Sequence, residues 1–115
     1  MPSNQVLLKD IADIEPILTS HGIGEKRVLL SRKEFFSPIT QIAKTCLKAG
    51  DVVEVHNHST MDEHFIFLEG KCDVTVEGQI LFCEGGRYLL IPAGSHHEIK
   101  VIADTVMLTV GVALD

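Results

Sequence analysis

An all-β fold, a sandwich or barrel of short strands in one domain, is what this sequence predicts, and two observations carry the expectation. From Gln41 onward short apolar stretches alternate with turn residues, in the order QIAKTCLKAGD, VVEVHNH, HFIFLEG, CDVTVEGQ, ILFCEGG, YLLIPAG, EIKVIAD and VMLTVGV. Turn signals at that spacing mark the strands of a sandwich or barrel and argue against alternating strands and helices. Several of the runs also change polarity at every residue, which is the period of a half-buried strand. A chain of 115 residues has material for one hydrophobic core and no independent second one.

Before Gln41 the pattern differs. Ile11, Ile14, Ile17 and Leu18 recur at helical spacing, but Pro16 interrupts them and removes a helical hydrogen bond, so at most one short helical turn is expected. Ser20 to Lys26, SHGIGEK, holds Gly22 and Gly24 without the rest of a dinucleotide fingerprint or phosphate loop, and reads as a turn. Residues 1–40 are therefore expected to be an irregular or partly helical arm. It would pack on the barrel or on a partner subunit, through VLLK at 6–9 or RVLL at 27–30, with residues 41–115 forming the barrel. In the barrel Cys72, Val74 and Val76 alternate with Asp73, Thr75 and Glu77, and Glu77-Gly78 is placed to turn the chain into Ile80 and Phe82. A hairpin follows from that placement. Near the end Val106, Leu108, Val110 and Val112 share one face and Met107, Thr109 and Gly111 the other, so this strand is expected to be covered on both sides.

Composition removes several classes of function. Ten basic against sixteen acidic residues leave a formal charge of −6, and no basic cluster exceeds Lys26-Arg27 or Arg32-Lys33. Nucleic-acid surfaces need concentrated positive charge, so DNA and RNA are not expected partners. No run of eighteen apolar residues occurs, which argues against a membrane span. The start, MPSNQVLLKDIADIEP, lacks the basic-then-apolar pattern of a signal peptide, and the expected location is the cytoplasm. Cys46, Cys72 and Cys83 are odd in number and form no CxxC pair, so they read as buried thiols of a reducing compartment. Asn57-His58-Ser59 matches a glycosylation sequon by chance.

The chemistry concentrates in two blocks. GDVVEVHNHSTMDEHFIFLEG, from Gly50 to Gly70, reads G-x5-H-x-H-x4-E-x6-G, and GRYLLIPAGSHH, from Gly86 to His97, reads G-x5-P-x-G-x2-H. In a strand, side chains at i and i+2 share a face, so His56 and His58 turn inward together while Asn57 turns away. A turn over Ser59 to Asp62 would bring Glu63 back to the same point, and the bend at Pro92-Ala93-Gly94 would deliver His97 from a third strand. Imidazole nitrogen with carboxylate oxygen suits a divalent first-row transition metal, so His56, His58, Glu63 and His97 are the expected ligands of one such ion. Mixed nitrogen and oxygen donors do not choose among iron, manganese, nickel, copper and zinc. His64 faces the other side of its strand, and it, His96 and His21 read as surface or hydrogen-bonded residues.

These two blocks resemble the paired motifs of the cupin superfamily, whose small members are jelly-roll barrels, the double-stranded β-helix. The motifs span Gly50 to His97, and the strand pattern extends the resemblance from Gln41 to Ala113. In the family the first block supplies two histidines and a glutamate and the second the last histidine, which falls on His56, His58, Glu63 and His97. The second motif often closes with asparagine four residues after the histidine, where this chain has Val101. The resemblance implies homodimers through strand addition. A metal with open positions would polarise a small oxygen-rich metabolite, such as a sugar acid, hydroxy-acid or diketone, for isomerase, lyase or dioxygenase chemistry. The alternative is a non-catalytic module that binds or senses a small molecule through the metal. Phe65 and Phe67 share the face of Glu63 and are expected to wall the pocket, unless they are ordinary core. Tyr88, the single tyrosine, is the candidate proton donor if it faces inward.

Overall fold

The computed structural model describes residues 7–31 and 37–114. The carboxylate of Asp10 accepts from the Ala12 backbone N–H at 3.0 Å and caps a single 3-10 turn, Ile11–Asp13, which ends before Pro16. Eight strands follow: β1 Ile17–Leu18, β2 Glu25–Ser31, β3 Ile39–Leu47, β4 Val52–His56, β5 Met61–Val76, β6 Gln79–Glu84, β7 Tyr88–Ile91 and β8 His97–Ala113. All their pairings are antiparallel.

Strands β5 and β8 organise the fold, since at 16 and 17 residues each is long enough to cross both faces of the barrel. The first part of β5, Met61 to Glu69, pairs with the end of β8 and with β7; its second part, Lys71 to Val76, pairs with the start of β8 and with β6. Beyond β8 the first face continues through β3, β2 and β1, and β4 closes the edge of the second face. This is the jelly roll that the turn spacing and the two motifs predict. The bend in β5 sits at Gly70, where the register slips between Phe67 and Cys72. Gly70 has φ +96°, and a Cβ there would run into Thr105 and the Asp104 carbonyl. Only glycine satisfies both conditions.

Inward-facing positions from the two halves make one core. Phe65, Phe67, Cys72, Val74, Cys83, Ile91, Ile99, Val101 and Met107 are all buried. Each large side chain removed from water there stabilises the fold by roughly 1.5–3 kcal/mol. The β5–β6 hairpin is the expected one: Val76 pairs with Gln79, and Glu77 and Gly78 hold φ +46° and +81°. Two left-handed residues in a row make the turn whose twist matches the flanking strands. Glu77 tolerates that conformation because its N–H donates to the His96 carbonyl at 2.9 Å while its carboxylate accepts from the His96 N–H at 3.2 Å.

Part of the N-terminal stretch joins the sheet. RVLL lies in β2, which pairs along β3 of its own chain, and the expected boundary after residue 40 falls inside β3. Of the VLLK stretch, Val6 lies outside the described residues, as do Arg32 and Lys33, and Leu7 to Lys9 form no strand. Arg27 fastens the 3-10 turn to the sheet, donating from Nη1 to the Ile14 carbonyl at 2.6 Å and the Ala12 carbonyl at 3.2 Å. The two-sided cover expected for the last strand is found on one side only. Met107 is buried, whereas Val106, Leu108 and Val110 on the outer face are half-buried.

Candidate metal centre

His56 ends β4, Glu63 stands three residues into β5, and His97 opens β8 directly opposite His56 in the sheet register. His58 lies just past β4 in the connection to β5. One ligand atom from each of these residues falls within 4.8 Å of the other three. Ligands about 2.1 Å from a shared ion stand about 3 to 4.2 Å apart, so the widest separation in the cluster would have to close by roughly half an ångström or more to hold one.

Both imidazoles on the β4–β8 pair have one nitrogen committed elsewhere. His56 Nδ1 lies 2.8 Å from the Glu54 carbonyl and His97 Nδ1 lies 2.9 Å from the Ser95 carbonyl. A carbonyl accepts only, so each Nδ1 carries a proton, and when the ring is neutral each Nε2 presents a lone pair to the cluster. That backbone anchoring of the far nitrogen is how metal-bound histidines are oriented. Glu63 Oε1 stands 3.4 Å from His97 Nε2 and 3.5 Å from His58 Nε2. At 3.4 Å the first is a charge contact rather than an aligned hydrogen bond, because Glu63 Oε1 and His97 Nε2 are buried and neither has a hydrogen-bond partner. Facing each other without an aligned hydrogen bond, the two buried polar atoms satisfy one another only in part. A divalent cation held by these residues would fit the chemistry of both atoms.

The electrostatics follow the same geometry. Burial pushes the Glu63 carboxyl up, but its contact with His97 and the nearby His58, His97 and His56 imidazoles outweigh burial and hold it below the usual value. Burial pushes His97 down, yet Glu63 and the Ser95 carbonyl together raise it above its ordinary value. His56 goes the other way: burial lowers it, and the Glu54 carbonyl does not compensate for the neighbouring imidazoles.

The cluster opens on a cavity of about 150 Å³, large enough for a small molecule. Phe65 lines this cavity; Phe67 does not and belongs to the core. Tyr88 faces away. It sits on the outer face of β7, 57% exposed, and its hydroxyl pairs with His64 Nδ1 at 2.6 Å, so the inward-facing proton donor expected of it is absent from the site. His96 lies outside as well, beside Glu77. His21, read from sequence as a bystander, is instead brought to the cluster, its ring centroid 4.1 Å from that of His56. The turn that carries it is closed by Gly22 N–H to the Thr19 carbonyl at 2.9 Å and by the Thr19 hydroxyl to the Ile23 carbonyl at 2.6 Å. Burial lowers the His21 pKa, helped by His58.

The family model for the cupin domain matches residues 43–112, which contain every residue of the cluster. The chain belongs to the cupin family. This cupin is 24% identical over 78 residues to a mannose-1-phosphate guanylyltransferase of Sinorhizobium fredii (strain NBRC 101917 / NGR234), across 64% of its own length. It is 33% identical over 52 residues, 45% of its length, to a quercetin 2,3-dioxygenase of Bacillus subtilis (strain 168). The chain spans about 15% of the length of either relative. Among solved structures, a predicted oxalate decarboxylase from Thermotoga maritima superposes with a TM-score of 0.79 at 23% identity, covering 94% of this cupin and 100% of that chain. A likeness at that identity is a likeness of fold.

Proposed function

We propose that this cupin is a metal-dependent enzyme in which His56, His58, Glu63 and His97 hold one divalent transition-metal ion that acts on a small oxygen-rich metabolite. The observation that carries the reading is the buried, unpartnered pair of Glu63 Oε1 and His97 Nε2, beside a cavity that Glu63, His56 and His58 line. When bound, such an ion supplies Lewis-acid polarisation of a substrate oxygen. Around it the chain's own residues set the rest: the Glu54 and Ser95 carbonyls hold two imidazoles in one tautomer, Phe65 excludes water from one wall, and His21 offers an imidazole at the mouth. A sugar acid, hydroxy-acid or diketone fits the volume, and isomerase, lyase or dioxygenase chemistry fits the centre. The outer position of Tyr88 supports a second reading, a non-catalytic module that binds or senses its ligand through the metal, because it leaves the site without the phenol proposed as its acid.

Elemental analysis of the purified protein should return one metal ion per chain, and His56→Ala should abolish it. Turnover of a metabolite by the loaded protein but not by His56→Ala supports the enzyme. A thermal shift with unchanged ligand supports the binding module, and full activity without metal removes both. For assembly, the reading is a homodimer through the outer face of the first half of the barrel. There Ile66 pairs with Tyr88 and His64 with Leu90, leaving Tyr88, Leu68, Leu90 and Ile66 exposed by 57%, 47%, 43% and 36%.

A further inference from the structure

Lys26 enters the cavity from the far side. It lies on β2 opposite Thr45, which in turn lies opposite Met107, so its side chain belongs to the inner face. Its ammonium donates to Gln41 Oε1 at 3.0 Å. Among the described residues no carboxylate pairs with Lys26. A cation held part-buried on a neutral amide, facing a cavity, is short of a counter-charge, and carboxylates are its natural partners.

The sheet register says how far this cation stands from the candidate metal centre. Gln41 pairs with Gly111 and Gly111 pairs with Glu63, so Gln41 and Glu63 lie in one inward-facing row. Two strand spacings separate them, about 10 Å between their backbones. Gly111 contributes no side chain between the two. Among the described residues Glu63 is the single carboxylate on the cavity lining, and it faces the imidazoles. A divalent ion would use that carboxylate, leaving Lys26 and the remaining positive charge of the ion uncompensated at opposite ends of one small space.

Resting on the metal-centre reading above, we propose that Lys26, positioned by Gln41, is a specificity-determining residue that binds a substrate carboxylate. The substrate class is then narrower than an oxygen-rich metabolite: a small acid with one carboxylate on Lys26 and a second oxygen-bearing group at the cluster. Neutral sugars and diketones are excluded. Both recognition groups come from the first half of the chain, Lys26 from β2 and Gln41 from the start of β3, whereas the candidate ligands come from β4, β5, β8 and the connection after β4. Binding and metal retention are therefore separable by mutation.

Calorimetric titration of the metal-loaded protein with 2-oxoglutarate and malate, and with the same acids carrying the distal carboxylate as an amide, tests this. At least one acid should bind about tenfold or more tightly than its amide, the size of a lost charge-assisted hydrogen bond. Lys26→Met should erase that preference and Lys26→Arg should retain most of it, with metal content unchanged in both. Equal affinity of the wild type for acid and amide overturns the proposal without any variant, as does a preference that survives Lys26→Met, or failure of every acid to bind. Protein that takes up no metal overturns the metal-centre reading as well, and the metal assay records that outcome separately.

Discussion

The contact between Glu63 and His97 has opposite consequences at the two ends of the pH scale. Glu63 is held below its ordinary 4.5, so its contribution to the stability of the metal-free protein is complete above 4.5 and is lost as pH falls through the lowered value. His97 is raised above 6.5, so its contribution is complete below 6.5 and is lost as pH rises through the raised value. Glu63→Gln should therefore cost most between 4.5 and 6.5, on the order of 1 kcal/mol for a charge contact of this kind, and less on either side. Urea titrations of both metal-free proteins across that range check it; a difference independent of pH would mean that the pair carries no charge. The same raised value makes His97 a candidate ligand at which protons compete before they reach His56. Metal affinity should begin to fall while pH is still above 6.5, before His56, whose pKa is lowered, takes up a proton. Competition titrations with a chelator on either side of neutrality report the slope, and flat affinity into mild acid would rule out His97 as a ligand.

Among the elements, β5 does the most, carrying Glu63 at one end, the Gly70 bend in its middle and the hairpin to β6 at the other. The two glycines in and after it fail differently on substitution. Gly78 has φ +81° with open space where a Cβ would stand, so Gly78→Ala meets only the left-handed penalty, about 1–2 kcal/mol. Gly70 has φ +96° and the Thr105 and Asp104 backbone behind it, so Gly70→Ala adds overpacking to the same penalty, about 2–5 kcal/mol in all. Denaturant midpoints should rank wild type above Gly78→Ala above Gly70→Ala. Reversed order would show that the bend relaxes and the hairpin does not. Because Glu63 and the β8 partner strand are registered through this bend, Gly70→Ala should also weaken metal binding, whereas Gly78→Ala should leave it intact.

At the scale of the whole molecule, the outer face of the first half of the barrel exposes apolar side chains to water. Ile66, Leu68, Tyr88 and Leu90 lie on adjacent strands with Leu108 and Val110 beside them, and no described element covers them. An exposed patch of that make-up marks an interaction surface more often than a free one. With a second copy as its occupant, Leu90→Arg should convert a dimer to a monomer in light scattering while metal content stays at the wild-type value. A wild-type protein that is monomeric at micromolar concentration would refute the assignment. Among the described residues no helix is long and apolar enough to cross a membrane.

Local regularities were what the sequence could determine. The spacing of His56 and His58, the alternation from Cys72 to Glu77 and the Glu77-Gly78 turn obey rules of a single strand or turn, so the strand pattern and the hairpin could be read from neighbouring residues, while the set of four side chains was legible through the spacing of the two motif blocks and their family resemblance. What depended on register between distant strands could not. Tyr88 faces outward because it pairs with Ile66, itself an outward residue, and a run such as YLLI has no feature that says which alternate positions turn in. Phe67 and Phe65 share a face, but only Phe65 reaches the cavity, since depth along the barrel is set by where β5 meets β8. His21 reaches His56, and Lys26 reaches Gln41, because β2 adds to the edge of β3 across an intervening stretch of chain with no short-range signal of its own. Side-chain period is a property of the backbone and is written in the sequence; which faces meet is a property of the closed sheet, and only the tertiary structure decides it.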